Sequence, residues 1–234
     1  MAEEYVVRAI AHIRSDFPTK FGVPRQSGLV TSLQASVVFE PEYRVLEAVR
    51  GLEDFSHIWL IWQFSQAVRE GWSPTVRPPR LGGNTRLGVF ATRSPFRPNA
   101  LGLSAVRLES VIVDPVLGPV LRVAGADLMD GTPIYDIKPY VSYADAHPNA
   151  SGGFVDRVER QSLEVECAAE LLEVVPEEKR EALMGVLAQD PRPSYQDDRE
   201  RVYGMAFAGL EVRFTVMEGR LEVKDIFQQR PDNL

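Results

Sequence analysis

The 234-residue chain is short of the groups that staple small proteins or hold metals: it has one cysteine, Cys167, and three scattered histidines, His12, His57 and His147. One thiol cannot close an internal disulfide, and the histidines have none of the spacing of a zinc site, so no structural metal is expected. The apolar stretch Ile58 to Phe64 is too short to span a bilayer, which excludes a membrane-spanning helix there. The N-terminal MAEEYVVRAIAHIR is acidic where a signal peptide would be basic, so a cytoplasmic location is expected. Positive charge is also scarce. With 26 Lys and Arg against 33 Asp and Glu the net charge is −7, which argues against indiscriminate coating of nucleic acid but allows a local basic patch.

One segment reverses that balance. From Arg77 to Asn99 the chain reads RPPRLGGNTRLGVFATRSPFRPN, with Arg77, Arg80, Arg86, Arg93 and Arg97 and not one Asp or Glu. Guanidinium groups are planar, permanently charged donors suited to phosphates and carboxylates, so the cluster suggests a localised anion-binding surface. The plain alternative is a solvated, salt-bridged surface. Interleaved Pro78, Pro79, Gly82, Gly83, Pro95 and Pro98 argue for loops instead of a charged helix face, and loops are where binding chemistry concentrates.

A hydrophobic content of 44% with 25% charge is enough for a well-buried core. Up to about residue 145 the pattern predicts mostly strands: 5–13, 36–40, 57–64 (buried on both faces), 87–92, 101–113, 120–124 and 134–138, with a short helix over 42–49. Short strands at this spacing point to a closed barrel, and no GxGxxG opens a helix after the first strand, against a dinucleotide fold. Turn-forming residues at His147 to Gly153 mark a boundary. Beyond it a smaller α+β unit is predicted, with strands at 162–167, 203–207, 210–217 and 221–227 and a helix over 176–189. The expected fold is therefore mainly β: a single-sheeted barrel over 1–147 and a small α+β domain over 154–234.

KFGVPRQSGL, AVRGLEDFSHIWLIWQF, TVRPPRLGGN, GVFATRSPFRPNALGLS, DLMDGTPIYDIKPY and LAQDPRPSY together resemble the TsaA-like family, in order from about residue 5 to residue 230. Bacterial members of this length are tRNA methyltransferases of the TrmO type. The resemblance implies a single-sheeted β-barrel with a smaller C-terminal domain assisting tRNA binding, S-adenosyl-L-methionine as cofactor, a homodimer with cofactor sites near its interface, and no metal. The implied substrate is threonylcarbamoyladenosine beside the anticodon of tRNA, threonine tRNA in the first place, methylated at N6.

Carried over residue by residue, the resemblance assigns cofactor contacts to Arg25, Gln26, Ser27, Gly28 and Leu29, to Ser65 and Gln66, to Arg93 and Leu103, and to Ile134, Tyr135, Asp136 and Ile137. Each has an ordinary reading beside it. The Val23–Leu29 stretch could be a simple turn, Ser65 and Gln66 could be polar strand ends, and Asp136 could be paired with Lys138 on one strand face. Family members commonly carry Pro where this chain has Ser27, so contacts of that ring do not transfer. Trp59, Trp62 and Phe64 are read as core.

Arg77, Arg80, Arg86 and Arg97 are then candidates for RNA phosphate. Arg192 and Tyr195, in DPRPSY after the C-terminal helix, could offer a cation and a stacking ring to an anticodon loop, although Pro there also serves as a helix stop. Methyl transfer to nitrogen is an in-line displacement governed by positioning, and N6 of the acceptor carries a proton acidified by the carbamoyl group, so a base would help. Asp136 is the candidate base, with Tyr135 or Tyr195 as hydrogen-bonding partners. Two other readings stay open: a non-catalytic RNA-binding module, and a β-barrel enzyme acting on a small phosphorylated metabolite.

Overall fold

Strands in the first half of the chain close into a ring. The computed structural model describes residues 4–68, 71–78, 81, 85–157, 162–192, 198 and 201–229. The strands there are β1 (Ala11–Arg14), β2 (Gln34–Phe39), β3 (His57–Gln63), β4 (Thr75–Val76), β5 (Leu87–Gly88), β6 (Leu101–Asp114), β7 (Gly118–Ala124) and β8 (Pro133–Pro139). Six of them form a closed antiparallel barrel in the order β1-β2-β7-β6-β3-β8, while β4 and β5 pair with each other. The barrel core holds Ile13, Val37, Ile58, Leu60, Trp62, Val106, Leu121, Val123 and Ile134, drawn from alternate positions as a pleated strand requires.

Three elements depart from the sequence reading, the first of them because the barrel closes. Strand β3 is not buried on both faces: Ile58, Leu60 and Trp62 point into the barrel, and Trp59, Ile61 and Gln63 are only half-buried on the outer side. Trp59 is accordingly not a core residue, while Phe64, just past the end of β3, is half-buried against the barrel core. The helix expected over 42–49 is two separate 3-10 turns, Pro41–Tyr43 and Leu46–Val49, because Val45 is extended and Arg44 donates to the carbonyl of Phe39 at 3.0 Å. The strand expected over 87–92 stops after Gly88, where Val89 turns inward and a 3-10 turn begins.

After β8 come α1 (Ser142–Asp145), β9 (Glu164–Glu166), α2 (Ala169–Glu173), α3 (Glu177–Ala188), β10 (Tyr203–Phe207), β11 (Leu210–Met217) and β12 (Arg220–Gln228). Strands β10, β11 and β12 are antiparallel neighbours, and β9 adds to β12 in parallel. The two-residue links Ala208-Gly209 and Glu218-Gly219 have positive φ throughout, the conformation that matches strand twist in tight hairpins. Helix α3 packs Leu183, Val186 and Leu187 against Phe207, Val212 and Phe214.

This second core also takes residues from the loop between β1 and β2. Phe17, Val30 and Leu33 belong to it, and the Phe17 ring meets Phe207 edge-on at 5.5 Å. A side chain at Gly185 in α3 would bring its Cβ to 2.7 Å from Val30, so the bare glycine is what lets the helix sit on that loop. The loop that carries Val23–Leu29 is thus held from both sides.

Candidate functional site

The end of β3 starts the site. Past Gln63, the Phe64 amide donates to the Ala100 carbonyl at 2.8 Å, the Ser65 amide to Gln63 at 2.8 Å and the Ala67 amide to Phe64 at 2.9 Å, a curl that turns Ser65 and Gln66 toward open space. Beside it, Gly102 in β6 lies opposite Trp62, and a Cβ there would fall 2.3 Å from the indole. The missing side chain lets the Trp62 ring lie across β6, with its Nε1 donating to Ser104 Oγ at 2.9 Å.

These elements border a groove of about 920 Å3. Its lining includes the apolar Trp59, Trp62, Phe64, Leu101 and Leu103, the polar and charged Arg25, Gln26, Arg93 and Arg97, and Asp127, Met129 and Thr132. Such a volume, mostly apolar with a few polar groups, falls within the roughly 300–1,000 Å3 usual for small-molecule sites. Arg93 Nη1 donates to Gln26 Oε1, which joins the arginine segment to the first loop. Arg97 Nη1 donates to the Thr92 carbonyl at 3.2 Å, and hydrogen bonds from Ser94 N to Thr92 Oγ1 and from Phe96 N to Ser94 Oγ stiffen the turn between them.

The groove brings together Arg25, Gln26, Ser65, Gln66, Arg93, Arg97 and Leu103 from the sequence-derived set. Ser27, Gly28 and Leu29 do not line it; Gly28 N instead bonds to the Gly125 carbonyl at 2.9 Å. Ile134, Tyr135, Asp136 and Ile137 sit on β8 beside β3, also outside the lining. Ile134 is fully buried and its carbonyl accepts from Ile10 at 2.8 Å. Tyr135 Oη donates to Gln63 Oε1, its link to the groove. Asp136 is engaged on both oxygens, by the Ile137 amide at 2.9 Å and by Lys138 at 2.8 Å.

Arg77 and Arg86 flank the small β4–β5 ladder and are solvent-exposed. Arg192 grips Asp190 through Nε and Nη2 at 2.9 and 3.0 Å, while its carbonyl accepts from Arg25 at 3.4 Å, so its guanidinium braces the end of α3. Arg80 and Tyr195 lie outside the described residues.

Asp127 is the group the sequence reading left as part of a turn. It follows β7, faces the groove, and accepts from Ser104 Oγ at 2.6 Å. Burial pushes its carboxyl above the ordinary value, opposed by hydrogen bonds from Ser104, from its own amide and from Ser27, and by the nearby charge of Arg93. The sequence signal for it is an acid three residues past the end of a buried strand. Among the described residues no group of three or more His, Cys, Asp or Glu could hold a metal ion, and no helix is long and apolar enough to cross a membrane.

Two family models account for nearly the whole chain: the tRNA-methyltransferase O N-terminal domain matches residues 12–146 and the TrmO C-terminal domain matches residues 160–229. The chain belongs to the TrmO family. It is 43% identical to the tRNA (adenine(37)-N6)-methyltransferase of Escherichia coli K12, covering 92% of this chain and 94% of that protein. It is 49% identical to the protein of the same name from Eikenella corrodens, over 70% of this chain and 93% of that one. Two crystal structures of TrmO from Pseudomonas aeruginosa superpose with TM-scores of 0.79 and 0.77 at 34% identity, the first covering 98% of this chain and 99% of that one. Family membership thus extends over both the barrel and the second sheet.

Proposed function

We infer that this protein is an S-adenosylmethionine-dependent tRNA methyltransferase acting on N6 of an adenine. The observation that carries the inference is the coincidence of TrmO-family sequence over both halves with a groove suited to a charged nucleoside. S-adenosylmethionine, when bound, supplies an electrophilic methyl group on a sulfonium. The groove fits such a ligand: Phe64, Leu101 and Leu103 offer apolar surface to a base, and arginine and aspartate face the same space for a zwitterionic amino-acid end.

The proposed substrate is threonylcarbamoyladenosine beside the anticodon, in threonine tRNA. Exposed Arg77 and Arg86, with Arg97 at the groove, would hold backbone phosphate or the threonyl carboxylate. Asp136 is the proposed acceptor of the N6 proton, with Tyr135 as its neighbour on β8. A homodimer fits the exposure of Phe90, Phe96, Leu101 and Leu103 beside the groove, which a second copy would cover. Residues 154 onward are proposed to assist tRNA binding, in the cytoplasm.

The test is transfer of labelled methyl groups from S-adenosylmethionine into purified tRNA with and without the threonylcarbamoyl group. Label confined to the modified tRNA is expected. Transfer into neither, with no binding of S-adenosylmethionine in the presence of tRNA, overturns the reading.

A further inference from the structure

Ser104 is buried in β6, and its hydroxyl stands between two partners. It accepts from Trp62 Nε1 at 2.9 Å and donates to Asp127 Oδ1 at 2.6 Å. Indole nitrogen can only donate and a serine hydroxyl has one proton to give, so with Asp127 ionised the direction of this chain is fixed and ends on the carboxylate. The other hydrogen bonds to Asp127 come from its own amide and that of Ser27. These are neutral donors. They orient a carboxylate without cancelling its charge, and the nearby Arg93 is itself bonded to Gln26.

We propose that Asp127 is the groove's binding partner for the positive charge of the methyl donor, held in position by Ser104 and Trp62. The inference rests on the methyl-donor reading above. S-adenosylmethionine carries two cations, a sulfonium and an α-ammonium, and one carboxylate, while its adenosine is neutral. A site that sets Arg93 beside Asp127 offers both signs that such a ligand needs, and the apolar surface of Trp62 and Phe64 strengthens each charge pair by keeping water away. A cation there also favours the ionised carboxylate that burial disfavours.

Calorimetric titration of the full-length protein with S-adenosylmethionine, S-adenosylhomocysteine and neutral 5′-methylthioadenosine tests this. Asp127→Asn should bind S-adenosylmethionine about tenfold or more weakly while binding 5′-methylthioadenosine about as well as the wild type, the pattern of a lost charge pair. S-adenosylhomocysteine, which keeps only the ammonium, tells the two cations apart: an equal loss assigns the ammonium, no loss the sulfonium. A smaller loss for S-adenosylmethionine, or an equal loss for 5′-methylthioadenosine, overturns the assignment, including the case where turnover alone falls and Asp127 acts as a base. Should Asp127→Asn fail to fold, Ser104→Ala, which removes the orienting donor, must show the same selective weakening; unchanged affinity for S-adenosylmethionine overturns the proposal. Failure of the wild type to bind S-adenosylmethionine is a different result and removes the methyl-donor reading itself.

Discussion

Trp59 Nε1 donates to Asp145 Oδ2 at 3.0 Å, and the same oxygen accepts the Val141 amide at 2.8 Å. One carboxylate therefore closes the turn of α1 and pins a ring that walls the groove. The two donors hold Asp145 below the ordinary carboxylate value, the Val141 amide more than the indole. A lowered folded-state pKa gives stability that is present above the unfolded value and lost as pH falls through the folded one. The stability difference between wild type and Asp145→Asn should then be constant at neutral pH and shrink below about pH 4, near the unfolded carboxylate value. Chemical denaturation of both proteins across that range measures it, and a constant gap in acid would remove the indole–carboxylate pair from the account.

Asp136→Asn tests the base. The amide keeps an acceptor for the Ile137 N–H, and the pair it loses with the exposed Lys138 is of a kind worth about 0–1 kcal/mol, so the fold should survive. Turnover should drop about a hundredfold or more with S-adenosylmethionine affinity nearly unchanged. Unaltered turnover would leave Asp136 as one half of a surface ion pair.

The acid-free segment divides into two surfaces with different assays. Arg93, bonded to Gln26 within the groove, should on replacement by Ala act first on S-adenosylmethionine binding. Replacing Arg77 or Arg86 with Gln should weaken tRNA binding and reduce the slope of log affinity against log salt by about 0.7 for each phosphate that is no longer neutralised. Filter binding at several salt concentrations separates the classes; an unchanged slope would make these two arginines bystanders.

The barrel was legible because short apolar segments recur at regular spacing between turn residues. Turn residues at Gly118 and Gly131 place β6, β7 and β8 within a few residues. What stayed hidden depends on packing between distant segments. Nothing local in HIWLIWQF says that only one of its faces will be buried, since that follows from ring closure. Asp127 looked like turn chemistry because its partners, Ser104, Ser27 and Arg93, come from three other parts of the chain. Arg192 reads in sequence as a cation on offer to RNA, yet Asp190, two residues earlier, folds back onto it where the backbone of Asp190 takes a positive φ at the end of α3.

The loop between β1 and β2 makes the last prediction. Phe17 is 1% exposed and sits in the core of the second sheet, although it belongs in sequence to the barrel. Truncating a buried phenylalanine to alanine costs about 3–5 kcal/mol, and here the cavity opens where the two units meet. Gly185→Ala sharpens the point. In a free helix that change would gain about 1 kcal/mol, but here the new Cβ must displace Val30 from 2.7 Å, and a β-branched valine has little rotamer freedom to yield. Both variants should therefore lower the melting temperature and raise hydrogen exchange in β10 and in the Val23–Leu29 loop together, because the loop bridges the second core and the groove. Exchange that rises in β10 alone would mean the groove loop is held by the barrel without help from α3.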